Sequence, residues 1–235
     1  MPAAPTVCDT HADLFNFRHP LRNLTESLKK PGKIKLVAIG SSSTAGEGDV
    51  VPYPARLEIL LRERFHDRMI EVLNRGVGGQ EATSELLRFE PDVLPEAPAL
   101  AIWQVGTNAV FRKDEFDFDE VIAAIATGLR LLADHSIDAV IMDSQYVPAV
   151  VEGEKLKLSE ELVGRIARTA EAAGVNVFRR FDLMRYWVIH DGLSIEDVVR
   201  QGDQLRLHMS EFATNCVITA LFQSIRERVE AEGVT

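Results

Sequence analysis

Cysteine is scarce in this chain of 235 residues. Cys8 and Cys216 lie far too far apart for a C-x-x-C motif, which excludes a cysteine-built metal or dithiol redox centre. The two read either as unrelated thiols or as one disulfide tying the N-terminal arm to the last helix, the latter implying an oxidising compartment. Clustered metal ligands are also missing: there is no H-x-x-x-H, no H-E-x-x-H and no Asp/Asn-rich loop at ligand spacing. No apolar run approaches the ~18 to 20 residues that cross a bilayer. The opening "MPAAPTVCDTHADLFNF" has neither the basic start nor the apolar middle of a signal peptide. Net positive charge is lacking too. At −10, with no basic stripe interleaved with aromatics, the chain would repel a phosphate backbone, so nucleic acid is not expected as a partner. The chain as given reads as soluble, cytoplasmic unless a leader was removed, in which case exported or periplasmic.

What is present is an α/β pattern. Residues 1–32 are polar and irregular and read as an arm laid over the domain that follows, residues 33–235. Five apolar runs then appear: "IKLVAIG" from Ile34, "IEVLNRG" from Ile70, "LAIWQVG" from Leu100, "DAVIMDSQY" from Asp138 and "VNVFRRF" from Val175. Amphipathic stretches separate them, at Tyr53–Phe65, Phe118–His135 and Ser159–Gly174, and another begins at Glu211. Continuous apolar strands alternating with helices predict a parallel sheet covered on both faces. In such a sheet the ligand site lies beyond the carboxyl ends of the strands. The loops to examine are therefore "GSSSTAGEG", "NRGVGGQEAT", "GTNAVFRK" and "DSQYVP". The acidic run "KDEFDFDE" reads as a helix start with carboxylates at the positive end of the helix.

The first of these loops does not suit phosphate. A phosphate loop needs G-x4-G-K-[ST], whereas five residues separate Gly40 from Gly46 and Glu47 follows. No G-x-G-x-x-G dinucleotide fingerprint follows the first strand either. A nucleophile fits better, because a serine at a strand-to-loop turn presents its hydroxyl into the crevice.

Here the chain resembles the SGNH (GDSL-type) hydrolases. "GSSSTAG" resembles their G-D-S-x-T-x-G segment, which makes Ser42 the nucleophile, with Ser41 in place of the usual Asp. "NRGVGG" resembles the second segment and implies Gly79 as a backbone donor to an oxyanion. "GTNA" resembles G-x-N-D and implies Asn108 as the side-chain donor, with Ala109 in place of Asp. "LHMS" implies His208 as the base. "WQVGTNAV", "MDSQYVP" and "LHMS" further resemble a bacterial, often exported subgroup. The fold implied is a flavodoxin-like three-layer α/β/α sandwich with a five-stranded parallel sheet.

The fourth segment departs from the D-x-x-H pattern, since Leu205 stands where the aspartate belongs. Asp203, five residues before His208, orients the imidazole if the local backbone is rearranged. Otherwise the site is a Ser-His dyad held by a backbone carbonyl, or it is impaired. His190, followed by Asp191, is the reserve candidate for base. Trp103, Gln104, Gln145 and Tyr146 sit near strand ends, where each packs structurally or lines a pocket. "RRFDLMRYW" either floors a cleft or caps the sheet.

The function implied is hydrolysis of an ester in a small acylated compound or saccharide through an acyl-serine, with the Ser42 N–H completing the oxyanion hole and no cofactor required. Acyl transfer would use the same site. A carbohydrate- or partner-binding module that lost turnover is the alternative, motivated by Ser41, Ala109 and Leu205 standing where acids are usual. Oligomeric state is not legible.

Overall fold

The computed structural model describes residues 9–234. Five parallel strands form one sheet: β1 Lys33–Gly40, β2 Met69–Gly76, β3 Leu100–Gln104, β4 Asp138–Met142 and β5 Asn176–Phe178. Their order is β2-β1-β3-β4-β5, the flavodoxin-like arrangement. Register follows the apolar runs, with Val37 opposite Ala101 and Trp103 opposite Ile141. Every residue of β3 is buried, as a strand covered on both faces requires.

The helices fall where apolar residues recur at helical spacing. In chain order they are α1 Ala12–Phe15, α2 Arg22–Leu28, α3 Ser42–Ala45, α4 Tyr53–Arg64, α5 Ala82–Leu86, α6 Thr107–Phe111, α7 Phe118–Asp134, α8 Pro148–Val151, α9 Lys155–Ala172, α10 Arg180–Ile189 and α11 Glu211–Glu230. On α7, Val121, Ala124, Ile125, Gly128, Leu129 and Leu132 form one buried stripe toward the sheet. Asp117 caps this helix, its side chain accepting the N–H groups of Asp119 and Glu120, so the acidic run is a helix start as expected. Helices α4 and α11 pack on each other, while α7 packs on α5 and α9. Among the described residues, no helix is long and apolar enough to cross a membrane.

Two expectations need correction. Within the N-terminal segment, residues 12–15 and 22–28 are helical, because Phe15, Leu21, Leu24 and Leu28 turn inward and join the core. "RRFDLMRYW" is the helix α10. Its mixture of cations and aromatics hid a buried face of Arg180, Phe181, Leu183, Met184 and Trp187, which packs into the domain. Cys216 is buried on α11. Cys8 lies outside the described residues, and the pairing with it does too.

The strand ends deliver the loops that matter to one edge. The β1–α3 turn rests on the end of β2 so closely that a Cβ at Gly76 would stand 2.1 Å from the Ala45 backbone nitrogen. Only glycine permits this approach. Val77 N–H donates to the Gly40 carbonyl at 2.9 Å, extending the β1–β2 ladder into both loops.

Candidate active site

Ser42 opens the single turn of α3, directly after β1, and is buried except for 8% of its surface. Its turn is anchored from below by Gln104 at the end of β3. The Gln104 Oε1 accepts the Ser41 N–H at 3.0 Å, the Ser41 hydroxyl at 2.9 Å and the Thr44 hydroxyl at 3.3 Å. Ser41 is thus a buried strut for the turn, and this position does not require an acid. The Ser42 hydroxyl makes no hydrogen bond among the described residues, and Ser42 lines a cleft together with His208, Glu47, Val51, Tyr53 and Met209. That cleft encloses about 30 Å³.

His208 stands three residues before α11, outside the helix. Its backbone is fixed on both sides: His208 C=O accepts the Arg200 N–H at 2.9 Å, and Met209 pairs with Val199 in an antiparallel bridge. Ser210 then caps α11 by accepting the Ala213 N–H. Asp203 reaches the imidazole despite the longer spacing. Arg206 adopts a left-handed φ of 51°, and the Arg206 N–H donates back to the Asp203 carbonyl at 3.0 Å, folding the segment into a tight turn.

The carboxylate is then surrounded by donors. Asp203 Oδ2 accepts the Leu207 N–H at 2.9 Å and the His208 N–H at 2.8 Å, and it lies 3.1 Å from His208 Nδ1. Oδ1 accepts the Leu205 N–H at 3.2 Å. Burial alone would raise this carboxyl; the His208 and Leu207 N–H groups and the nearby ring outweigh it and hold the group below its usual range. Leu205 itself is exposed. A carboxylate facing Nδ1 favours the tautomer that carries its proton on Nδ1 and leaves Nε2 as the acceptor.

Gln145, fully buried after β4, spans the two halves. Its Oε1 accepts the Ser43 hydroxyl at 3.2 Å and its Nε2 donates to the Leu207 carbonyl. The residues neighbouring Ser42 and His208 are therefore joined by one side chain. Arg180 of α10 supports this loop by donating through Nε and Nη2 to the Asp143 carbonyl.

The second and third loops supply donors. Gly78 passes near the serine: a Cβ there would lie 3.9 Å from Ser42 Cβ. The next peptide N–H belongs to Gly79, whose φ of +79° suits glycine. Among the described residues, neither the Gly79 N–H nor the Ser42 N–H has a protein acceptor. Arg112 pins this loop by donating through Nη2 to the Gly79 carbonyl. Asn108 follows β3 at the start of α6 and donates one Nδ2 proton to the Gln80 carbonyl at 2.7 Å, which fixes its amide and leaves the second proton for another acceptor.

His190 is exposed at the end of α10 and packs on Tyr186, apart from the residues lining the Ser42 cleft. Trp103 is fully buried, with its indole N–H on Glu85 Oε2 at 2.8 Å, so its role is packing. Among the described residues no cluster of potential metal ligands occurs.

Two buried acids were absent from the sequence reading. Glu81 and Glu85 lie on the turn entering α5 and on α5 itself, each at most 1% exposed. The signal for the first was an acid followed three residues later by a serine just before a short helix, and this pair forms a capping box.

Comparison with known proteins accords with this architecture. An α/β hydrolase enzyme, LAE5, from the metagenome of Lake Arreo, Spain, superposes with a TM-score of 0.70 at 18% identity, covering 84% of this chain and 97% of that one. The acetylxylan esterase Axe2 of Geobacillus stearothermophilus superposes with a TM-score of 0.69 at 19% identity, covering 82% and 94%. Solved variants of Axe2 described as catalytic mutants alter a serine, an aspartate and a histidine. The uncharacterized lipoprotein YqeF of Bacillus subtilis (strain 168) is 32% identical over 87 residues, and the aligned segment spans 36% of each protein. Residues 7–231 match the Non-GDSL lipase-like family. The chain belongs to the Non-GDSL lipase-like family.

Proposed function

We propose that the protein is a carboxylic ester hydrolase of the SGNH type, cleaving the ester of a small acylated compound or saccharide through an acyl-serine. His208 Nε2 takes the Ser42 hydroxyl proton as Ser42 Oγ attacks the acyl carbonyl. The N–H groups of Ser42 and Gly79 and the free Asn108 amide proton hold the developing oxyanion. The tetrahedral intermediate collapses, His208 gives its proton to the leaving alcohol, and water activated by the same imidazole releases the acid.

The observation that carries this reading is the pairing of a serine and a histidine on one cleft with a carboxylate behind the histidine, Asp203 Oδ2 lying 3.1 Å from Nδ1. The serine, aspartate and histidine altered in the catalytic mutants of the acetylxylan esterase are the same three residue types. The departures that motivated a non-catalytic reading have local replacements, because Asp203 supplies the carboxylate that Leu205 lacks.

Hydrolysis of p-nitrophenyl acetate by the native protein and by Ser42→Ala tests the proposal. Turnover that depends on Ser42 is the expected result; equal rates from both proteins would remove the enzymatic reading.

A further inference from the structure

Two loops must converge to make an oxyanion site here, and one buried carboxylate joins them. Glu81 Oε1 accepts the N–H of Ala82 at 3.0 Å and of Gly106 at 2.8 Å, while Oε2 accepts the N–H of Ala109 at 2.9 Å. Gly106 and Ala109 bracket Asn108, and Gly79 lies two positions before Glu81. The Asn108 amide completes the link by donating to the carbonyl of Gln80, the residue next to Glu81. Position 109, where the resembling segments carry an aspartate, is an alanine whose backbone N–H instead binds the carboxylate of another loop.

We infer that Glu81 is a positioning residue for transition-state stabilisation: its carboxylate fixes the distance between the Gly79 N–H and the Asn108 amide. The inference rests on the hydrolase reading above.

Several features argue against a purely accidental buried acid. Burial holds the Glu81 carboxyl above its usual range, and the backbone N–H groups of Gly106, Ala82, Ala109 and Asn108 offset part of that rise. Its neighbour Glu85 has no such cradle. One Glu85 oxygen accepts the Trp103 indole and the other has no partner, so of the two acids Glu81 is the one built to hold negative charge. A carboxylate can accept from three or more N–H groups across two oxygens, whereas an amide turns one of those positions into a donor facing a donor.

Turnover of p-nitrophenyl acetate by Glu81→Gln, Asn108→Ala and the double variant, with KM and kcat separated, provides the test. Each single change is expected to lower kcat about 10²-fold, the scale of losing one oxyanion donor, with KM within about twofold. If Glu81 acts through Asn108, adding Glu81→Gln to Asn108→Ala costs less than about threefold more. Losses that multiply in full, with Ser42-dependent turnover intact in the native protein, overturn this inference and leave the hydrolase reading standing. Absence of Ser42-dependent turnover in the native protein overturns both. Should Glu81→Gln fail to fold, amide hydrogen exchange of the native protein decides. Protection of the Gly106 and Ala109 N–H groups matching that of β3 supports the cradle, and exchange at exposed-loop rates overturns it.

Discussion

Replacing Asp203 with asparagine changes one oxygen to nitrogen and removes a charge that faces His208 at 3.1 Å. When His208 takes the serine proton it becomes an imidazolium, and the carboxylate then stabilises a full positive charge. Coulomb's law at that separation and an effective dielectric of ~20 gives about 5 kcal/mol. At about 1.36 kcal/mol per decade this is a factor near 10⁴ in rate. The asparagine oxygen still accepts from Nδ1, so part of the effect survives and the expected loss in kcat is about 10²- to 10⁴-fold.

The same substitution weakens the turn. Oδ2 also accepts the backbone N–H groups of Leu207 and His208, and turning these from charge-assisted to neutral hydrogen bonds costs about 2 kcal/mol of stability. A loss of that size leaves a domain folded under assay conditions. Since the folded carboxyl is held below its ordinary value, its stabilising contribution is complete above the unfolded pKa near ~4 and disappears as pH falls through the lower folded value. The stability difference between native protein and Asp203→Asn should therefore narrow in acid. Steady-state hydrolysis of p-nitrophenyl acetate with parallel thermal melts gives both numbers. A folded Asp203→Asn protein with native turnover would refute the assignment of Asp203 as the group orienting His208.

Two further outcomes follow from packing and burial. Glu85 is fully buried and its carboxyl is pushed well above the usual range, chiefly by burial and then by the Glu81 charge. A raised folded pKa stabilises below the unfolded value, and that stability is lost as pH rises toward the folded one, by up to about 1.4 kcal/mol per pH unit. Glu85→Gln removes this slope, so denaturant melts between about pH 5 and 7 should show the variant gaining on the native protein; parallel curves would contradict it. Gly76→Ala puts a methyl 2.1 Å from the Ala45 nitrogen and 2.6 Å from the Thr44 carbonyl carbon, both backbone atoms that cannot swing aside. A loss of about 1 to 3 kcal/mol in stability is expected, together with a drop in turnover as the Ser42 turn is displaced; an unchanged melt and rate would show that the turn does not rest on β2 as described.

The strands were legible because a parallel sheet demands apolar runs on both faces, and "IKLVAIG" and "LAIWQVG" meet that demand without competing signals, whereas the flavodoxin-like arrangement came only with the family resemblance. The candidates Ser42, Gly79 and Asn108 came from segments resembling a known family that follow β1, β2 and β3, and His208 came from one just before the last helix. The acid was harder, since Leu205 occupies the usual position. Only the left-handed Arg206, a conformation no sequence pattern announces in a non-glycine residue, brings Asp203 five residues back into reach. The contacts of Glu81 beyond its own helix cap were hidden for a related reason. Its three N–H partners come from its own turn and from a loop some 25 residues later, and a contact between loops leaves no periodicity to read. Helix α10 escaped because its buried face includes an arginine, which burial statistics place outside.

The central claim is that Ser42 carries a reactive hydroxyl activated by His208. Incubation of the native protein with a fluorophosphonate, followed by digestion and mass spectrometry, tests it without requiring the natural ester. The account predicts one adduct, on Ser42, that is lost in Ser42→Ala and strongly slowed in His208→Ala. An unlabelled Ser42, or labelling that proceeds at the same rate without the imidazole, would contradict it.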